Sequence, residues 1–208
     1  GSHPMAGTSA SGWDAGSADL FDGAPWVVSV DERSDRAVWA EVAGLALDCG
    51  AHVVPATAAE HDAAAARVSH LPHLLAAVLA SVGADGGPLA LALGAGSFTD
   101  GTRVAASRPE LVRAMCEGNR TALVEALDDA LARLSSARAE LVSTGTVEAT
   151  VRTGYLARRA LEASHRRSDR GSMQVDLESP EAMERLRALG RLGARVTALH
   201  GTRCQVML

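Results

Sequence analysis

The chain has 208 residues, of which 47% are hydrophobic and only 3% aromatic, so its interior is built mainly from Ala, Leu and Val. A net charge of −5 argues against a nucleic-acid-binding surface, and the absence of lysine excludes mechanisms that need a Schiff-base or P-loop lysine. The three cysteines form no CxxC pair and no signal peptide or membrane-spanning run is evident, so we expect a soluble, cytoplasmic protein with reduced thiols.

The first part of the chain has the pattern of a parallel α/β sheet. Residues 1–23 predict an ordered loop with a short helix near 18–21. PWVVSV (25–30) and HVVPA (52–56) are apolar runs typical of buried strands, and the helical spacing over 31–49 joins them. Because two strands do not make a stable sheet alone, this region needs further strands from elsewhere.

Long apolar helices dominate the chain from residue 57 onward. Thr57 and Glu60 have the spacing of a capping box, which marks the start of the first of them. The apolar periodicity then predicts three helices, namely 61–83 with a kink at Pro72, 107–141 as one unbroken helix, and 147–165.

Three further stretches complete the prediction. Residues 88–105 predict a helix or strand that enters a glycine-rich bend; its GxG lacks the third glycine of a dinucleotide fingerprint, because Thr99 stands there. Residues 166–172 are a predicted linker. The tail after it has the pattern strand, helix, strand, with one more strand at its end.

Several polar residues could carry chemistry. His61, Asp62, His70 and His73 could ligate a metal, or they could be capping and core-polar residues without a ligand. Arg103 follows the glycine-rich bend and is a candidate clamp for a carboxylate.

Taken together, these motifs resemble the prephenate/arogenate dehydrogenase family. The resemblance extends from the N-terminus to about residue 154 and is carried by HPMAG (3–7), LFDGAPWVV (20–28), EHD (60–62), SHLPH (69–73) and DGTRVA (100–105). It implies a mainly α fold with α/β parts, in which trailing strands of a Rossmann-like nucleotide-binding domain precede an all-helical dimerisation domain. The implied domains are 1–58 (nucleotide-binding), 59–170 (helical, substrate and dimerisation) and 171–208 (a small C-terminal appendage).

The resemblance also implies a function. Members of the family oxidise and decarboxylate prephenate or arogenate with NAD or NADP. We expect this chain to supply the substrate-side residues and a homodimer interface, to lack the main cofactor loop and to be inactive alone. His3 is then native sequence rather than part of a tag remnant. The implied roles are His3 as the catalytic base, Arg103 as the carboxylate clamp, His70 and His73 as pocket residues with Ser69 supporting them, and Asp62 near the pocket entrance.

Two alternatives remain open at this point. One is a metal-dependent hydrolase that uses His61, Asp62, His70 and His73. The other is a helical dimerisation module without catalysis. We expect no bound metal, and the charge and the lack of a membrane-spanning run predict no nucleic-acid or membrane partner.

Overall fold

A computed structural model of the protein describes residues 1–7, 12–165 and 171–208, so most of the predicted linker lies outside the described residues. The chain divides into two compact units, which are described separately below. The sheet unit comprises Gly1–Gly7, Gly16–His61 and Ala137–Leu208. The helical unit comprises Asp62–Ser136 together with Thr8–Ala15.

The sheet unit is built on one six-stranded mixed sheet of order β1-β2-β3-β5-β6-β4. Only β2 and β3 are parallel to each other, as expected of neighbouring strands joined by a crossover helix, and every other neighbouring pair is antiparallel. The strands are β1 Ser2–Pro4, β2 Pro25–Ser29, β3 His52–Ala56, β4 Ser172–Asp176, β5 Arg195–His200 and β6 Arg203–Met207.

The crossover between β2 and β3 is helix α1, Arg36–Asp48. Asp35 begins it by accepting hydrogen bonds from the backbone N–H groups of Ala37 and Val38, at 2.8 and 3.1 Å. The helix therefore starts after the predicted position, because residues 31–34 form a turn in which Asp31 accepts from the Arg33 N–H. Trp39 is buried against the sheet core.

The C-terminal segment supplies the strands that the parallel pair needs. Val196 of β5 lies opposite Val53 of β3, and both are fully buried. Helix α9, Ala182–Arg191, crosses β3 so closely that a Cβ on Gly190 would lie 1.8 Å from the Pro55 carbonyl oxygen. The strand, helix, strand and final strand predicted for the tail are confirmed, and the structure adds that the three strands belong to the same sheet as β2 and β3.

Glu60 links the start of helix α2, Ala58–Ala65, to helix α9. Its carboxylate accepts from the Thr57 N–H at 2.8 Å while the Thr57 hydroxyl accepts from the Glu60 N–H, which is the predicted capping box. Arg187 and Arg191 bind the same carboxylate. Burial opposes ionisation, but the hydrogen bonds from Thr57 and Arg191 and the charge of Arg187 outweigh it and lower the Glu60 pKa to about 2.

The helical unit begins within a long helical stretch. A π-helical segment, Ala66–His70, joins α2 to α3, Leu71–Asp85, so the helix type changes just before Pro72, where the sequence predicts a kink. The helical stretch Ala58–Asp85 is long and apolar enough to cross a membrane, since an 18-residue window of it has a mean hydropathy of 1.3. This differs from the expectation that no run reaches that length. Core helices of other proteins pass the same test. The remaining helices are α4 Gly87–Ala92, α5 Gly96–Thr102, α6 Pro109–Gly118, α7 Arg120–Thr144 and α8 Glu148–His165.

Several local predictions were wrong. The helix predicted over 107–141 is interrupted at Asn119, where φ is −115° and ψ is 37°. The glycine-rich stretch, in contrast, is a helix that enters a bend, as predicted. Gly94 of the bend leaves room for the Phe98 ring, which a Cβ there would meet at 3.2 Å, and Gly83 of α3 does the same at 2.5 Å. Residues 18–21 form turns instead of a helix, and residues 2–4 form a strand instead of a loop.

Replacing Glu60 by Gln should destabilise the protein by about 1–3 kcal/mol at neutral pH, because a charged acceptor is lost. Since the folded pKa of about 2 lies below the reference value of 4.5, the contribution is complete above pH 4.5 and is lost as the pH falls toward 2. Urea unfolding between pH 3 and pH 7 measures this. Glu41→Gln, at an exposed position on α1, is the control, and an equal effect of both variants at all pH values would contradict the prediction.

Candidate active site

His3 and His61 form a close pair within the sheet unit. His3 lies on β1 opposite Val27 of β2, and His61 lies on α2. Their Nδ1 and Nε2 atoms are 2.7 Å apart, and the rings meet edge to face with centroids 5.0 Å apart. Burial, followed by the charge of His61, lowers the pKa of His3, so this imidazole stays neutral to more acidic pH than an isolated histidine.

His73 is held by the turn of helix before it. Its Nδ1 lies 2.9 Å from the backbone carbonyl oxygen of Ser69. Because a carbonyl oxygen can only accept, Nδ1 carries the proton and the neutral ring keeps a lone pair at Nε2. The supporting atom of Ser69 is therefore its carbonyl, while its hydroxyl lies 4.0 Å from the Met115 sulfur.

His70 lies in a different environment from His73. It is buried, with 6% of its surface exposed, and its Nδ1 is 3.3 Å from the side-chain nitrogen of Asn119. The same nitrogen donates to the backbone carbonyl of Asp62 at 2.7 Å. Asn119, at the break between α6 and α7, therefore ties the end of α2 to the π-helical segment.

A cavity of about 450 Å³ opens within the helical unit. Its wall is mostly apolar, with the His73 side chain on one side and the Arg113–Glu117 pair, 3.6 Å apart, on α6. The lining residues are His73, Leu74, Ala77, Val104, Ala105, Ser107, Pro109, Val112, Arg113, Cys116 and Glu117. Arg113, Cys116 and Glu117 of α6 were not predicted as site residues, although the i, i+4 spacing of Arg113 and Glu117 was an available signal. His70 does not line this cavity.

Arg103 is exposed on the short 3₁₀ turn Arg103–Ala106, next to two residues of the cavity wall. No acidic side chain in the described ranges pairs with its guanidinium, so this fixed positive charge is available to a ligand. Asp62 is exposed as well, and its backbone carbonyl accepts the bond from Asn119.

The histidines and Asp62 do not assemble a metal centre. Among the residues that the structure describes, no three His, Cys, Asp or Glu side chains group closely enough to hold an ion. Protein sites for transition metals need at least three such ligands, so the metal-dependent hydrolase gains no support from the geometry.

Two family profiles match consecutive parts of the chain. The profile described as "Prephenate dehydrogenase, nucleotide-binding domain" matches residues 1–55, and "Prephenate dehydrogenase, dimerization domain" matches residues 57–153. The chain belongs to the prephenate dehydrogenase family. The resemblance and the fold class inferred from the sequence are thereby confirmed, and His3 lies inside the first match.

Individual relatives agree with this assignment. The cyclohexadienyl dehydrogenase of Zymomonas mobilis is 36% identical over 149 residues, which are 68% of this chain and 50% of that protein. A crystal structure of a putative prephenate dehydrogenase from Corynebacterium glutamicum superposes with a TM-score of 0.85 at 46% identity, covering 93% of this chain and 62% of that one. Synechocystis arogenate dehydrogenase gives 0.65 at 30% identity, covering 78% and 60%. The chain thus spans about half the length of its first curated relative.

Truncating Asn119 to Ala should destabilise the protein by about 1–3 kcal/mol, because the buried His70 and the Asp62 carbonyl lose their shared donor. Asn119→Asp keeps the shape but places an acceptor against the Asp62 carbonyl, so it should be at least as destabilising. Guanidinium unfolding measures both variants. Ser136→Ala, at an exposed position on α7, should change stability by less than about 0.5 kcal/mol, and an Asn119 effect no larger than this would contradict the assignment.

Proposed function

We propose that this chain is the substrate-side part of an NAD(P)-dependent prephenate or arogenate dehydrogenase, which converts prephenate to 4-hydroxyphenylpyruvate by oxidative decarboxylation. The observation that carries the proposal is the His3 imidazole. It lies within the match to the nucleotide-binding domain, and burial and its close contact with His61 favour its neutral form. A base for a hydroxyl proton needs this form near neutral pH.

In this reaction the chain's own task is to hold the substrate and take a proton. His3 accepts the proton of the ring hydroxyl as the ring carbon is oxidised, carbon dioxide leaves, and the ring becomes aromatic. Bound NAD or NADP supplies the hydride acceptor. The turn from β2 into α1 does not fit the pyrophosphate of such a cofactor, because it carries Asp31, Glu32 and Asp35 and no glycine, and Asp35 already caps the helix.

The helical unit supplies the groups that recognise the substrate. The Arg103 guanidinium lies beside the cavity wall and pairs with no acidic side chain of the described residues, which suits bidentate binding of a carboxylate. His73 brings an Nε2 lone pair to a mostly apolar cavity that can accept a six-membered ring. Ser69 holds His73 in this tautomer. We assign Asp62 to the region near the cavity entrance and His70 to structural support of the pocket.

A homodimer through the helical unit is part of the proposal. The match to a dimerisation domain covers residues 57–153, and many large apolar side chains are exposed on these helices. They include Val78, Val82, Leu89, Leu93, Leu131 and Leu134. Exposed apolar side chains that form a patch commonly mark a protein–protein interface. A cytoplasmic location, the division at residues 58 and 170, and the inactivity of the isolated chain stay predictions.

Replacing His3 by Asn should lower kcat/KM by about 10²- to 10⁴-fold, the usual contribution of a general base. The assay is prephenate-dependent formation of NAD(P)H by the polypeptide as its own cell makes it. His52→Asn is the matched control, since His52 is a half-buried histidine on β3. Equal rates for the wild type and His3→Asn would contradict the role of His3. Cofactor reduction by residues 1–208 alone would contradict their predicted inactivity.

Replacing Arg103 by Leu should weaken prephenate binding to this chain by about 10- to 100-fold, because a charge-assisted hydrogen bond is lost. Isothermal titration calorimetry with prephenate measures the affinity. Arg133→Leu, on the exposed surface of α7, should leave it unchanged. Equal weakening by both variants would indicate a nonspecific charge effect and would refute the clamp.

A further inference from the structure

His61 lies next to the proposed base, His3, and has no role in the reaction described above. From the sequence, His61 was a candidate only for the alternative metal site, which the geometry of the described residues does not support. It lies on α2, and its backbone N–H donates to the Thr57 carbonyl at 2.9 Å, within the turn that the capping box fixes. The backbone that carries its imidazole is therefore set by the start of a helix and not by a loose loop.

The 2.7 Å separation restricts where the protons of the pair can be. Two ring nitrogens at this distance need one N–H between them, because two lone pairs or two N–H groups would repel each other. In one arrangement the Nδ1–H of His3 donates to Nε2 of His61. In the other, Nε2–H of His61 donates to Nδ1 of His3, and the neutral His3 ring then carries its proton on Nε2.

Only the first arrangement leaves His3 able to act as a base. Its Nδ1 is engaged by His61 in both, so a proton from a substrate hydroxyl must go to Nε2. That atom has a lone pair only when Nδ1 carries the ring proton. The lone pair of His61 Nε2 must then be the acceptor of the His3 Nδ1–H bond.

We propose that His61 is a positioning residue that holds His3 in the Nδ1–H tautomer and so directs the basic lone pair to Nε2. This inference rests on the proposed function of His3. The hydrogen bond from His3 Nδ1–H to His61 resembles the one by which a carboxylate orients the histidine of a catalytic triad, but here the acceptor is an uncharged imidazole. A neutral acceptor orients the ring without adding the negative charge that would raise its basicity.

The first test is the tautomer of His3 in this chain, measured by long-range ¹H–¹⁵N correlation NMR of ¹⁵N-histidine-labelled protein at a pH where the pair is neutral. We expect Nδ1–H in the wild type and in His61→Gln, whose side-chain oxygen can take the place of Nε2 as acceptor. In His61→Phe, which keeps a ring but has no acceptor, we expect a mixture with Nε2–H. His200→Gln, at an exposed histidine of β5, is the control.

Two outcomes overturn the inference. One is an Nε2–H tautomer of His3 in the wild type, and this measurement decides even if His61→Phe fails to fold. The other is an unchanged tautomer in a folded His61→Phe. The NMR measurement needs no turnover, so it is independent of the proposed reaction. If the wild type has His3 as Nδ1–H but His3→Asn loses no rate, the proposed function is refuted and the tautomer assignment still holds.

Kinetics of the polypeptide as its own cell makes it provide the second test. His61→Phe should lower kcat/KM by about fivefold, the factor that corresponds to one lost hydrogen bond, while His61→Gln should restore it. The charge that His61 carries in acid opposes protonation of His3, so the acidic limb of the kcat/KM profile should move to higher pH in His61→Gln, where no such charge forms. A merely structural role would not move this limb, so an unmoved limb contradicts the assignment.

Discussion

The sheet unit depends on the pairing of β3 with β5. A parallel pair such as β2 and β3 leaves one edge open on each side, and two strands do not hold together alone. The C-terminal segment closes one of these edges: Val196 pairs with Val53, 143 positions earlier in the chain. Helix α9 packs against β3, and Gly190 lets the helix approach the Pro55 carbonyl. Glu60 fastens the same helix through two arginines. The long-range pairing thus also anchors the start of α2, which carries His61.

The placement of His61 joins the fold to the chemistry. β1 pairs with β2 and carries His3, while the capping box of Thr57 and Glu60 sets where α2 begins and hence where His61 lies. Two elements that are 58 residues apart in sequence therefore bring two ring nitrogens to 2.7 Å. The carboxylate of Glu60, whose pKa is lowered to about 2, stays ionised throughout the range in which a histidine titrates, so this support does not change with the protonation of His3.

In the helical unit Asn119 interrupts a helix that the sequence predicts as continuous. Periodicity alone favoured an unbroken helix over 107–141, since its apolar positions continue across residue 119. The side-chain nitrogen of Asn119 instead donates a hydrogen bond to the Asp62 carbonyl and lies close to Nδ1 of the buried His70. The break lets α6 present Val112, Arg113 and Cys116 to the cavity that His73 also lines. Similarly, Gly94 of the bend makes room for the Phe98 ring.

The local elements and the family can be predicted from the sequence alone. Hydrophobic periodicity predicts β2, α1, β3, α8 and the tail. HPMAG, SHLPH and DGTRVA carry the resemblance that the family profiles confirm. The sequence also marked Thr57 and Glu60, because a capping box is a contact between near neighbours. Three features are visible only in the folded chain: the tail adds strands to the sheet, Asn119 interrupts a helix, and His61 lies against His3. Each of these depends on contacts between residues far apart in the chain, which hydrophobic periodicity does not encode.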